Sequence, residues 1–171
     1  MSRRIAVRDD RRISDDEQLL VRMNDDRDSA NALKLALADA PAYRVVPGFE
    51  RSGALTVSCF AVADEIEARI VVRGTRWSRY GLSRASDLRA LGCQLIATNV
   101  FDGADLLPLS DRHIDVIVCP YPPEIADYAT LTKQERSSLR ASLADRFITV
   151  LRAFDPRRTT SDQGLTSDQE L

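Results

Sequence analysis

Lysine is almost missing from this chain: among its 24 basic residues only Lys34 and Lys133 are lysines, and the rest are arginines. Arginine's planar fork suits flat, two-point contacts with phosphate and carboxylate. The net charge is only −2, which excludes binding to polyanions by bulk charge and leaves room only for a local patch. Histidine occurs once, as His113, so a multi-histidine metal site is excluded. Cysteine is scarce and odd in number (Cys59, Cys93 and Cys119), at spacings that fit no metal knuckle. With no signal-peptide pattern, the expectation is buried, reduced thiols in an intracellular, cytoplasmic protein, peripheral to membrane at most. No apolar run approaches the roughly 20 residues that cross a bilayer.

What is present reads as one α+β domain. Its 171 residues suffice for a real core. The expected organisation is a flexible N-terminus over residues 1–12, a globular domain over 13–155 and a disordered tail over 156–171. That tail nearly repeats Thr160–Leu165 as Thr166–Leu171, and its low hydrophobicity cannot support packing. Ser14 and Glu17 form a capping-box pattern, predicting a short helix through Leu19, Leu20 and Met23. Asp28 or Ser29 caps a second helix over 30–38, stopped by Pro41.

The period then changes to two. A short strand is expected over 43–46. Over 55–62, Leu55, Val57, Cys59 and Ala61 share one face; over 66–73, Ile66, Ala68, Ile70 and Val72 alternate with Glu67, Arg69 and Arg73. The two segments read as an antiparallel hairpin. A mid-chain helix over 87–91 ends at Gly92. Strands are expected over 93–100 and, as a continuous apolar run, 114–119, with a brief one over 106–109. Thr132 and Glu135 open a long amphipathic helix reaching about Phe154, with a stripe of Leu139, Leu143, Phe147, Val150 or Leu151, and Phe154. The predicted fold is therefore α+β, mainly antiparallel, with N-terminal helices, one mid-chain helix and a long C-terminal helix.

One segment stands out by charge. Between Ala68 and Ser86 there is no acidic residue, while Arg69, Arg73, Arg76, Arg79 and Arg84 fall there with Trp77 and Tyr80 interleaved. Such a band fits phosphates, with the aromatics stacking on bases or sitting at headgroup level. It equally fits an acidic surface of another copy, such as the acidic run within residues 9–28. A solvated strand face with its arginines paired to nearby carboxylates is the plain reading.

Catalytic chemistry is incomplete. Residues 91–99, 106–109 and 114–123 resemble the middle of S-adenosylmethionine-dependent methyltransferases, in which an apolar strand ends in Asp or Asn before Pro-Pro and an aromatic. Here Cys119 or Pro120 stands at the polar position, and Val72-Arg73-Gly74-Thr75 holds a single glycine where that family has its glycine-rich loop. The resemblance implies a site around Asn99, Asp115 and residues 120–123. His113, flanked by Asp111 and Asp115, would need a thiol beside it to act in a nucleophile pair.

Val45-Val46-Pro47-Gly48-Phe49, followed far downstream by Leu131-Thr132-Lys133-Gln134-Glu135 at the start of a helix, resembles the small matrix proteins of bornavirus-like negative-strand RNA viruses. The resemblance implies a compact α+β protein that self-assembles, contacts anionic membrane and touches RNA. The sequence thus favours a non-enzymatic binding and assembly protein without a cofactor. Its arginine-aromatic band would meet an anionic membrane, nucleic acid or an acidic partner, with the methyltransferase-like enzyme as the alternative.

Overall fold

The computed structural model describes residues 3–23, 33–34, 36–38, 54–73, 75, 79–118, 131–147 and 149–152. Among the described residues nine strands form one sheet in the order β1-β6-β8-β4-β2-β5-β9, with β3 added to β4 and β7 to β6. In chain order they are β1 (Arg3–Val7), β2 (Gln18–Met23), β3 (Ala36–Ala38), β4 (Ala54–Val62), β5 (Arg79–Arg84), β6 (Gln94–Asp102), β7 (Asp105–Leu106), β8 (His113–Val118) and β9 (Thr149–Arg152). The helices are α1 (Glu65–Arg73), α2 (Ala85–Ala90) and α3 (Lys133–Ala144). Every paired ladder is antiparallel.

The hub is β4. Its Leu55, Val57, Cys59 and Ala61 lie in one apolar cluster, the face its sequence predicts, and β8 pairs along one side over Leu55–Phe60. The other side is shared: β3 takes Ala54–Thr56 and β2 takes Cys59–Val62. Strands β4 and β5 are both antiparallel to β2, so they run parallel to each other with β2 between them, and α1 crosses over to join them. Pleat alternation gives the sheet two apolar faces. Leu19, Val21, Val57, Cys59, Ile114 and Val116 meet Leu88 of α2 and Leu143 of α3 on one face. Leu20, Val62, Tyr80 and Leu82 meet Ala68 and Val72 of α1 on the other.

This is a sheet-dominated fold, and it corrects the expected one in three places. Among the described residues strand structure replaces the predicted N-terminal helices: residues 18–23 are β2, Leu33 bridges Met23, and residues 36–38 are β3. The Ser14–Glu17 pattern closes a turn instead, with the Glu17 N–H donating to the Ser14 carbonyl at 3.3 Å. Leu19, Leu20 and Val21 are all buried; a run buried on both sides suits a central strand, and pairing on both edges overrides local helix preference. The predicted strand over 66–73 is α1. Its apolar alternation also places Ala68 and Val72 four apart, on one helical face. The decisive local signal is Asp64-Glu65-Ile66-Glu67: Asp64 Oδ1 accepts the Glu67 N–H at 2.8 Å and Glu67 Oε2 accepts the Ala63 N–H at 2.5 Å, which caps the helix start.

The long C-terminal helix stops at Ala144. Phe147 is buried, and the stripe positions Val150 and Leu151 lie in β9, which covers the outer edge of β5. At the N-terminus β1 lies on the edge of β6. The capping box of the last helix forms as its sequence predicts, with the Glu135 N–H donating to Thr132 Oγ1 at 3.2 Å and the Thr132 N–H to Glu135 Oε2 at 2.7 Å. The strand expected over 43–46, the tail, Cys119 and residues 120–123 lie outside the described residues.

Candidate functional site

The arginine-aromatic band is divided by the helix that replaces its expected strand. Arg69 and Arg73 project from α1, and Arg69 Nη2 donates to Glu65 Oε1 at 2.8 Å, one turn away. That bond raises the Arg69 pKa. Tyr80 faces α1 but is buried, and burial raises its phenol pKa although Arg69 works in the opposite direction. It therefore supports the core and offers no stacking surface. Arg84, at the far end of β5, is exposed. It adds to the lowering of the Asp16 carboxyl, which comes first from a hydrogen bond with Ser14. Arg76 and Trp77 lie outside the described residues.

The sheet register nonetheless builds a charged feature that the sequence does not announce. The last residues of β2 meet the first of β5, Arg22 opposite Tyr80 and Met23 opposite Arg79, while Arg79 also stands opposite Arg152 of β9. Leu33 bridges Met23, so the exposed Lys34 follows at the same end. Val72 packs in one cluster with Tyr80, which brings the exposed end of α1, Arg73, there as well. The described charged residues that β2, β5, α1 and β9 carry to this end are thus all cationic: Arg22, Arg73, Arg79 and Arg152, with Lys34 beside them.

At the opposite end of the same elements carboxylates collect. Gln18 is opposite both Val62 and Arg84, so Asp15, Asp16 and Glu17 approach Asp64, Glu65 and Glu67. Several are neutralised locally, by the ion pairs Asp15–Arg89, Glu17–Arg11 and Glu67–Arg112. The Glu67 carboxyl is held below its ordinary pKa first by the Ala63 N–H and then by Arg112. A cleft of about 340 Å³ runs between Arg11, Glu17, Glu67, Asp111 and Arg112. Its arginines already hold carboxylates, so an incoming anion would have to displace an internal partner.

The chain's only histidine sits in a separate, buried polar network. Thr98 of β6 and Asp115 of β8 are 0% and 1% exposed, and His113 is 4% exposed. Thr98 Oγ1 donates to Asp115 Oδ2 at 2.8 Å and lies 2.6 Å from His113 Nδ1. Because the hydroxyl has one proton and gives it to the carboxylate, Nδ1 is the donor to Thr98. The Phe60 ring meets the imidazole edge-on, with centroids 5.5 Å apart. Burial lowers the His113 pKa and Asp115 opposes that shift. Cys59 does not supply the thiol that a nucleophile pair with His113 would need, and Cys119 lies outside the described residues. Cys59 packs in the cluster on the α2/α3 face, and its alternate neighbour Phe60 is the one opposite His113. Burial raises the Cys59 pKa well above its ordinary value, so the thiol stays protonated.

The methyltransferase-like segment fares similarly. That family's cofactor crevice lies at the ends of parallel strands, whereas β6 and β8 pair antiparallel and Asp115 is consumed by Thr98. No group of three or more metal-ligating side chains exists among the described residues. No described helix is long and apolar enough to cross a membrane. Comparison with protein-family models, curated proteins and solved structures finds no match for this chain.

Proposed function

We propose that this is a non-enzymatic binding protein whose cationic end engages the phosphates of an extended anionic surface. The observation that carries the reading is the gathering of Arg22, Lys34, Arg73 and Arg79 at one end of β2, β5 and α1, by register rather than by sequence proximity. The exposed cations, Arg22, Lys34 and Arg73, supply charge complementarity and counterion release, and the guanidinium forks add two-point contacts. An intracellular setting, in which Cys59 and Cys93 persist as buried thiols, is part of the proposal.

Co-sedimentation with phosphatidylserine vesicles and binding of a short RNA, each at low and high salt, test the reading and separate the two phosphate sources. Binding to one of them should fall steeply with salt. It should weaken about tenfold or more in Arg22→Glu with Lys34→Glu, since each lost phosphate contact removes a salt-dependent increment, while Arg84→Glu at the other end leaves it intact. Failure to bind either probe, or equal binding by the double variant, overturns it.

A further inference from the structure

Strand β4 pairs with β8 from Leu55 to Phe60 without interruption, but on its other side the ladder is broken. Strand β2 leaves β4 after Val21, opposite Cys59, and β3 begins at Ala36, opposite Thr56. Among the described residues neither β2 nor β3 pairs with Val57 or Ser58. Successive residues of an antiparallel strand aim their backbone groups at alternate neighbours, so one of these two presents an N–H and a C=O to the gap. Exposure changes at the same place. Thr56, Val57 and Cys59 are buried, whereas Ser58, inside a strand flanked on both sides, is exposed.

The residues beside the gap are cationic. Leu20 and Phe60 stand opposite each other on the α1 face of the sheet. Arg22 lies two residues after Leu20 and Ser58 two residues before Phe60, so both share that face. They are neighbours just past the last paired residues, and both are exposed. Arg22 is also opposite Tyr80, which packs in one cluster with Val72, so Arg73 at the exposed end of α1 comes to the same row. The carboxylate opposite Ser58 on β8 belongs to Asp115, which is 1% exposed and accepts the Thr98 hydroxyl. It is sealed from anything bound at the surface.

We infer that this gap seats one phosphate group. Arg22 supplies a guanidinium fork, Ser58 Oγ donates to a further oxygen, and Arg73 balances the remaining charge. Hydroxyls, backbone N–H groups and guanidinium forks are the donors that phosphates ordinarily meet. Ser58 has a short side chain on a strand that β8 holds in place, so little freedom is lost when it donates. The inference rests on the phosphate-binding reading above and gives it a fixed seat in place of a diffuse field. A free phosphate compound and a phosphate carried on an extended surface offer the same oxygens, and the strength of binding to inorganic phosphate separates the two sources.

Backbone amide chemical shifts of the isotope-labelled full chain, followed during titration with inorganic phosphate at constant ionic strength, test it, with chloride as the control. The amides of Arg22, Val57, Ser58 and Arg73 should shift saturably with phosphate and stay in place with chloride. Ser58→Ala should weaken binding about tenfold, the usual worth of a hydrogen bond to a charged group, with other amides unmoved because Ser58 is exposed. Arg22→Lys should weaken it too, since it keeps the charge and loses the fork. A dissociation constant below about 1 mM marks a free phosphate compound as the ligand. A weaker one marks a phosphate on an extended surface, and Ser58→Ala then also weakens binding of RNA or vesicles. Shifts that are absent, unsaturable or centred on other arginines overturn the inference, as does a Ser58→Ala variant that binds like wild type. In that event the charge reading still stands if Arg22→Glu with Lys34→Glu loses salt-dependent binding, whereas failure of both RNA and vesicles to bind removes that reading itself.

Discussion

A single hydroxyl connects two titratable side chains in the sheet interior. Thr98 has one proton and two neighbours, and its choice of Asp115 sets the His113 tautomer. The consequence is a pH dependence with a definite sign. The folded protein holds His113 below the 6.5 of the free imidazole, with burial as the main cause. The unfolded chain therefore binds the proton more readily around that pH. The stabilisation is fully present above pH 6.5 and is lost as pH falls through and below it. Urea midpoints should decline between about pH 7.5 and pH 5.5. Since there is one histidine in the chain, His113→Asn should flatten that decline, leaving only carboxylate titration at lower pH. A slope of unchanged size in the variant would show that the network does not carry it. Of this cluster only the candidate residues were legible beforehand. Asp115 and His113 are two apart in a strand and so share a face, but nothing in the local pattern pairs them with Thr98, fifteen residues before His113.

At the scale of the element, the contest is between local pattern and available partners. Residues 66–73 satisfy a strand's alternation and a helix's four-residue spacing at once, and the cap at Asp64 resolves the ambiguity. Asp64→Ala should destabilise the protein by about 1 kcal/mol, the usual worth of a helix N-cap, read as a shift in urea midpoint with unchanged slope. An unaffected midpoint would mean that packing of Ala68 and Val72 holds α1 without the cap. Residues 18–23 and 149–152 show the opposite outcome: plausible helical sequence becomes strand because β4 and β5 offer ladders. The continuous burial of Leu19, Leu20 and Val21, which no amphipathic helix requires, was the available clue. In α3 pattern and structure agree only while the capping box governs. Beyond Ala144 the apolar residues that look like a continuing stripe are divided between a buried Phe147 and an edge strand.

Across the whole molecule, the sheet is held from its centre outward. Strand β4 is paired on both sides, with β2 and β8 as its flanks, whereas β1 and β9 end the strand order. Native-state hydrogen exchange should therefore find the slowest amides in β2, β4 and β8 and faster exchange in the two edge strands, since opening free energy tracks burial and pairing. Edge amides as slow as those of β4 would require cover on those edges. The same topology sorts charge. Because α1 runs back across the crossover from β4 to β5, acids at its start and cations at its end become opposite ends of the molecule. This polarity underlies the proposed phosphate contact.

By itself the sequence determined properties that depend on composition or on a few adjacent residues. These include the apolar face of β4, the buried run of β8, the glycine stop after α2 and the capping box of α3, the single histidine and the arginine excess. Tertiary structure decided which arginines act together, which isoleucines meet water, and whether residues 18–23 coil or extend. The reason is physical. A cap or an alternating face is a property of neighbours along the chain. Ladder partners and surface charge clusters join residues tens of positions apart, and their gain in burial and hydrogen bonding exceeds the few tenths of a kcal/mol per residue by which local propensities differ.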